Sequence, residues 1–185
     1  MRFSYHAEQW LPYPAAEVFE FFANPANLPP LMPRWQKARL EKSTVVPPPA
    51  DVSANTASHA AGTGSHILLS FRPFPYSPIR LRWEAEITEF SWRRHFCDTQ
   101  RKGPFAFWKH CHYIRATDLG GRGVTLVVDD IEYEPPLWFL GNMAHSLFLR
   151  KQIERTFAYR HAQTLKLLAG AAAPQKPRQS SSLAS

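Results

Sequence analysis

The sequence predicts an α+β domain in which an antiparallel sheet of about seven strands wraps around one long C-terminal helix. Three observations carry this. Between Phe3 and Tyr133, apolar and polar residues alternate at period two in segment after segment, the pattern of half-buried strands. Two short helical stretches follow the first of those segments. From Leu137 to Ala169 the composition is helical and proline-free, with Phe139, Met143, Leu149, Ile153, Phe157, Thr164 and Leu168 on one broad face. A half-buried sheet needs a cover, and the long helix is the natural one.

Taken in order, Phe3, Tyr5, Ala7 and Gln9 alternate with Ser4, His6 and Glu8 in a strand that ends near Leu11, before Pro12 and Pro14. Pro14 suits the first turn of a helix, where its missing N–H costs nothing, and Ala15 to Ala23 supplies Val18, Phe19, Phe21 and Phe22 for an aromatic face. Asn24 and Pro25 cap and start a second short helix, Ala26 to Leu28, which Pro29, Pro30 and Pro33 should cut off. Trp35 to Lys42 reads as a strand. Residues 43–64 change to Pro, Ala, Ser, Thr, Asn and Gly with almost nothing to bury, which predicts a flexible surface insert with His59 solvated.

His66 to Arg72 is the next strand, and Pro73, Pro75 and Pro78 make a rigid link. Leu81, Trp83, Ala85, Ile87 and Glu89 then alternate with Arg82, Glu84, Glu86 and Thr88. Arg94 to Gln100 places Phe96 and Asp98 on one face. Turns at Arg101–Pro104 and Gly120–Gly123 bound two more strands, Ala106 to Arg115 and Val124 to Tyr133, and Pro135-Pro136 ends the sheet. Gly141-Asn142 offers an early break in the helical run. One domain over 1–169 follows, with a disordered tail at 170–185.

Composition narrows the function. Thirteen Phe and six Trp in 185 residues must either pack tightly or line a cavity. The formal charge of +7 would suit an anionic partner, but the positive residues are scattered and no nucleic-acid motif is present, so no nucleic-acid binding is expected. No run approaches about 18 apolar residues and the N-terminus lacks the apolar core of a signal peptide, so stable membrane insertion is not expected and a cytoplasmic location is. Cys97 and Cys111 lack the spacing of a zinc pair and read as free thiols in a reducing compartment, both on the sheet face opposite the even-numbered residues.

The stretch from Asp98 to Tyr133 carries the polar chemistry. Trp108, His110, His112 and Ile114 share one face, and Thr125, Val127, Asp129, Ile131 and Tyr133 form the matching row on the returning strand. A regular turn at Gly120-Gly121 makes paired numbers sum to about 241, which sets His112 opposite Asp129, His110 opposite Ile131 and Trp108 opposite Tyr133. The preceding hairpin brings Asp98 beside Trp108 and His110. Buried carboxylates are costly unless hydrogen-bonded, and histidines supply donors. Three uses of this cluster stand side by side: a closed network that fixes register, a grip on the polar end of a greasy ligand, or an Asp-oriented histidine acting as general base. Two histidines two residues apart with a carboxylate also resemble a zinc set, but the aromatic flank favours an organic ligand, and neither metal nor cofactor is expected.

The order of elements, with a proline-led helix at Pro14 to Phe19 after the first strand, resembles the START-like helix-grip superfamily, also called SRPBCC or Bet v 1-like. A narrower similarity, to a bacterial branch of ligand-binding SRPBCC proteins, lies in Asn24 to Leu28 with Pro33, Trp83 to Ile87 and Phe96 to Gln100. It continues through Gly103 to Phe105, Trp108 to His112, Asp129 to Tyr133, Pro136 and Phe157 to Arg160. It covers nearly all of residues 1 to 168 and departs at the insert. The resemblance implies a sheet wrapped around the C-terminal helix with an apolar cavity between them. It carries over no catalytic residues, and fold alone does not decide function.

The expected function is binding of a small hydrophobic ligand, a lipid or an aromatic, polyketide-like metabolite, between sheet and helix. Trp83, Asp98, Trp108, His110, His112, Asp129, Tyr133, Met143, Arg150 and Phe157 are its candidate contacts. The alternatives are an enzyme of polyketide cyclase or dehydratase type using His110 or His112 as base, and a protein-interaction module without ligand. Of the helix arginines, either could hold an anionic head group. The plainer expectation pairs Arg150 with an acid such as Asp98 and sends Arg160 out to solvent.

Overall fold

The computed structural model describes residues 1–49, 59–119, 122–136 and 149–172. Seven antiparallel strands form one sheet: β1 (Phe3–Leu11), β2 (Arg39–Thr44), β3 (His66–Phe71), β4 (Leu81–Ser91), β5 (His95–Lys102), β6 (Phe107–Leu119) and β7 (Arg122–Glu134). Their order is β1-β7-β6-β5-β4-β3-β2, a meander from β2 to β7 with the N-terminal strand closing beside the last. Helices α1 (Ala15–Ala23) and α2 (Leu28–Leu31) follow β1, and α3 (Arg150–Ala172) crosses the concave face. This is the predicted architecture. Among the described residues no helix is long and apolar enough to cross a membrane.

Local chemistry explains the departures from the expected boundaries. Pro29 and Pro30 do not stop a helix but stand in the first turn of α2, where no N–H is required of them. The strand expected at Trp35 begins later. Arg34–Gln36 is a single 3₁₀ turn, and Lys37 takes a left-handed conformation (φ 45°) that redirects the chain into β2. Residues 50–58 of the predicted insert lie outside the described residues, but its two ends are docked. Ala60 and Ala61 are fully buried, the Ala61 amide donates to the Ala23 carbonyl at 2.8 Å, and the Gly62 amide donates to Val46 at 2.9 Å. Helix α3 runs on to Ala172, beyond the expected end at Ala169.

The bulge in β4 between Ile87 and Glu89 has a larger consequence. Strict alternation put Glu89 on the same face as Trp83 and Ile87. The extra residue turns Glu89 outward, where it pairs with Lys109 at 2.6 Å, and brings Phe90 inward against Phe19. The core has two lobes. Phe19 and Phe22 of α1 pack with Ile87, Phe96, Ile114 and Val127 of the sheet, while Trp108, Ile131 and Tyr133 meet Ile153 and Phe157 of α3.

The cysteine expectation is corrected. Cys97 and Cys111 are joined by a disulfide, and neither is a free thiol. Register is the cause: the two residues stand directly opposite each other on β5 and β6, their Cα atoms 4.0 Å apart, on the outer face of the sheet. The cysteines therefore lend no support to a reducing compartment.

Candidate functional site

The β6–β7 hairpin pairs as its turn geometry predicted. His112 faces Asp129, His110 faces Ile131 and Trp108 faces Tyr133, and Asp98 on β5 faces His110. Because side chains alternate, the two histidines and two carboxylates emerge on the concave face beneath α3. Asp129 is the hub. Its Oδ1 accepts a hydrogen bond from His110 Nε2 at 2.9 Å and stands 2.7 Å from His112 Nδ1, an approach that is close but off the line of an ideal bond. Its Oδ2 faces His161 Nε2 at 3.7 Å. On the cavity side, His110 Nδ1 lies 3.6 Å from Asp98 Oδ2, beyond direct bonding.

Proton positions follow from who can only donate. Arg160, reaching in from α3, places Nη2 3.1 Å from His112 Nε2. A guanidinium has no acceptor, so His112 Nε2 accepts and the ring carries its proton on Nδ1, facing Asp129. Burial, reinforced by neighbouring positive charge, pushes the His112 pKa down to about 3, which keeps the ring neutral. For Asp129, burial acts to raise the pKa, but the imidazoles of His112, His110 and His161 turned toward its oxygens outweigh it and hold the carboxyl well below its usual range. Asp98 goes the other way. Burial dominates and raises its pKa, against the pull of His110 and Arg160. The pKa values of the two carboxylates flanking one imidazole are thus driven apart, Asp129 downward and Asp98 upward.

These groups sit at a cavity of about 380 Å³. Trp83, Trp108 and Phe157, three of the predicted contacts, line it together with Asp98, His110 and His112. Asp129, Tyr133 and Arg150 do not. Asp129 lies behind the histidines and acts through them. Tyr133, 1% exposed, packs into the core against Trp108 and Phe105. Arg150 is out in solvent and pairs with Glu154 at 3.1 Å one turn along, not with Asp98, because its helical position points away from the sheet. Met143 lies outside the described residues.

Arg160 is the residue that sequence reasoning sent the wrong way. It does not snorkel out; it lines the cavity, its guanidinium 5.5 Å from the Phe22 ring and 5.8 Å from the Phe157 ring. Three residues beyond Phe157, it shares that residue's helix face, the one signal that pointed inward. His161 and Phe22, which stacks on His112 at 5.2 Å, also join the site without having been singled out.

His110, His112 and Asp129 place one potential ligand atom each within 4.8 Å of one another, so the trio has the composition of a metal site. Its spacing is that of hydrogen bonds. A zinc ion held at about 2.0–2.1 Å from each atom would have to spread the three apart. Arg160 already occupies the other nitrogen of His112 with a positive charge. The donor set fits an anchored histidine pair better than a metal.

No family model matches the sequence, and no curated protein matches it. Solved structures do. TTHA0849, a protein of Thermus thermophilus, is similar over 92% of this chain and 99% of its own, with 16% identity and a TM-score of 0.62. Norcoclaurine synthase from Thalictrum flavum covers 91% of this chain and 87% of its own at 13% identity, with a TM-score of 0.58. CV1439 from Chromobacterium violaceum covers 93% and 98% at 15% identity, with a TM-score of 0.57. At these identities the likeness is one of fold, and together with the strand order and the helix-crossed sheet it gives this chain the helix-grip, Bet v 1-like fold.

Proposed function

We propose that the protein binds a small hydrophobic molecule, aromatic or lipid-like, with its apolar body against Trp83, Trp108 and Phe157 and its polar end toward Asp98, His110 and Arg160. The observation that carries this reading is the cavity itself: about 380 Å³ of space walled mainly by aromatic and aliphatic side chains, with Asp98, His110, His112 and Arg160 among its few polar groups. Norcoclaurine synthase, similar in fold, has been solved in complex with dopamine and hydroxybenzaldehyde. Small aromatic molecules are therefore compatible with a cavity in this kind of fold. Native mass spectrometry of the purified protein, followed by thermal shifts across lipid and aromatic panels, tests the reading. A co-purifying apolar compound or a saturable shift supports it. An apo mass with no shift across both panels would sink it.

One observation favours a catalytic version, of the cyclase or dehydratase kind. Two carboxylates with oppositely shifted pKa values flank His110, an arrangement suited to moving a proton. His112 has both nitrogens engaged, so His110 with Asp98 is the pair that could act on a ligand. Exchange of an acidic C–H of a bound ligand in D₂O, followed by NMR, is the check. Exchange lost in Asp98→Asn with binding retained supports chemistry, whereas unchanged exchange removes Asp98 from it.

A further inference from the structure

We propose that the molecule this cavity takes is an acid, whose carboxylate pairs with the guanidinium of Arg160 while its apolar body lies against the aromatic walls; this rests on the cavity being a ligand site. Arg160 is a cation with its obligations unmet. Of its five N–H donors, one of the two on Nη2 goes to His112 Nε2, and the one on Nε is buried without a hydrogen-bond partner. The rings of Phe22 and Phe157 flank the group and hold it in place without neutralising it. Among the described residues it forms no ion pair. The oxygens of Asp129 face His110, His112 and His161, and Asp98 faces His110.

Leaving a guanidinium desolvated and unpaired is costly, and the shortfall is specific: a negative charge with two acceptor oxygens in one plane. A carboxylate supplies that through two parallel hydrogen bonds. A phosphate would bring a second charge toward Asp98 and Asp129 in an apolar cavity, which one arginine does not offset. Burial raises the Asp98 pKa, which lessens its repulsion of an incoming carboxylate. An alcohol or ketone of the same shape would leave the guanidinium charge unmatched.

The test compares two probes that share a ring and differ in head group, 1-naphthylacetate and 2-(1-naphthyl)ethanol, titrated calorimetrically into the full-length protein. The acid is expected to bind the wild type roughly ten-fold or more tightly than the alcohol, the value of a charged hydrogen-bonded pair. In Arg160→Met the preference should vanish while alcohol binding persists. Equal affinity for the two probes in wild type, or an unchanged preference in Arg160→Met, overturns the inference and leaves the cavity reading standing. Binding of neither probe, together with an apo native mass, overturns the cavity reading instead. Should Arg160→Met fail to fold by circular dichroism, the wild-type ratio decides, with Arg160→Lys expected to give an intermediate preference.

Discussion

The two sides of His110 are built from the same residue type and behave as opposites. Toward the sheet interior, Asp129 is 1% exposed, takes a hydrogen bond from His110, has His112 and His161 turned toward it and is ionised. Toward the cavity, Asp98 keeps a side chain 20% exposed, stands 3.6 Å from His110, and has its pKa raised. The backbone reinforces the contrast. Asp129 belongs to a long hairpin in which Phe107–Leu119 pairs with Arg122–Glu134, whereas the strand carrying Asp98 pairs with β6 only over His95–Thr99. A carboxylate becomes an anchor or an adjustable group according to how many donors its neighbours aim at it, not according to burial alone.

Removing the anchor should have the largest effect. Asp129→Ala strips the acceptor from a cluster of buried donors and is expected to cost about 3–5 kcal/mol in urea unfolding. A loss under about 1 kcal/mol would mean the hub does not organise the site. Next comes the tie between strands. The disulfide closes a segment with a sequence separation of 14, and its loss through Cys97→Ser with Cys111→Ser should cost about 3 kcal/mol. By hydrogen exchange, amides of β5 near Asp98 should lose protection before those of β7 near Asp129. Equal loosening of both strands would dissolve the proposed difference between the two sides.

The pH response separates the carboxylates by sign. Asp129, with its pKa depressed in the fold, contributes stability that is present above about pH 4 and is lost as pH falls through its folded value. Asp98, with its pKa raised, contributes stability that is present below about pH 4 and is lost as pH climbs through its folded value. Unfolding of Asp98→Asn across pH 4 to 8 should therefore show a shallower alkaline-side decline than wild type; parallel curves would contradict the assignment. The smallest effect is spectroscopic. Two-dimensional ¹H–¹⁵N spectra of the imidazoles at pH 5 should show His112 neutral and protonated on Nδ1. A doubly protonated ring there would leave two donors facing each other and break its hydrogen bond with Arg160.

Much of this site was legible in the sequence because strand register is arithmetic. One turn at Gly120-Gly121 and period-two alternation were enough to set His112 against Asp129 and Trp108 against Tyr133. The same arithmetic that set Asp98 against His110 also sets Cys97 against Cys111, so the disulfide was within reach of the sequence once pairing, and not reactivity alone, is considered. Glu89 escaped because a bulge adds a residue that alternation does not announce. Arginine on a helix flank is harder. The long stem lets Arg150 and Arg160 go either way, and only the neighbouring surface, Glu154 for one and Phe22 with His112 for the other, decides the direction.

The aromatic wall has one more consequence. Trp83 and Trp108 meet edge to face with ring centroids 5.0 Å apart, and Phe105 touches both. Two indoles this close are expected to couple their electronic transitions, and circular dichroism in the indole bands checks for the resulting exciton signature. Any occupant that tilts either ring would rewrite that signature, and the protein carries its own optical gauge of what fills it.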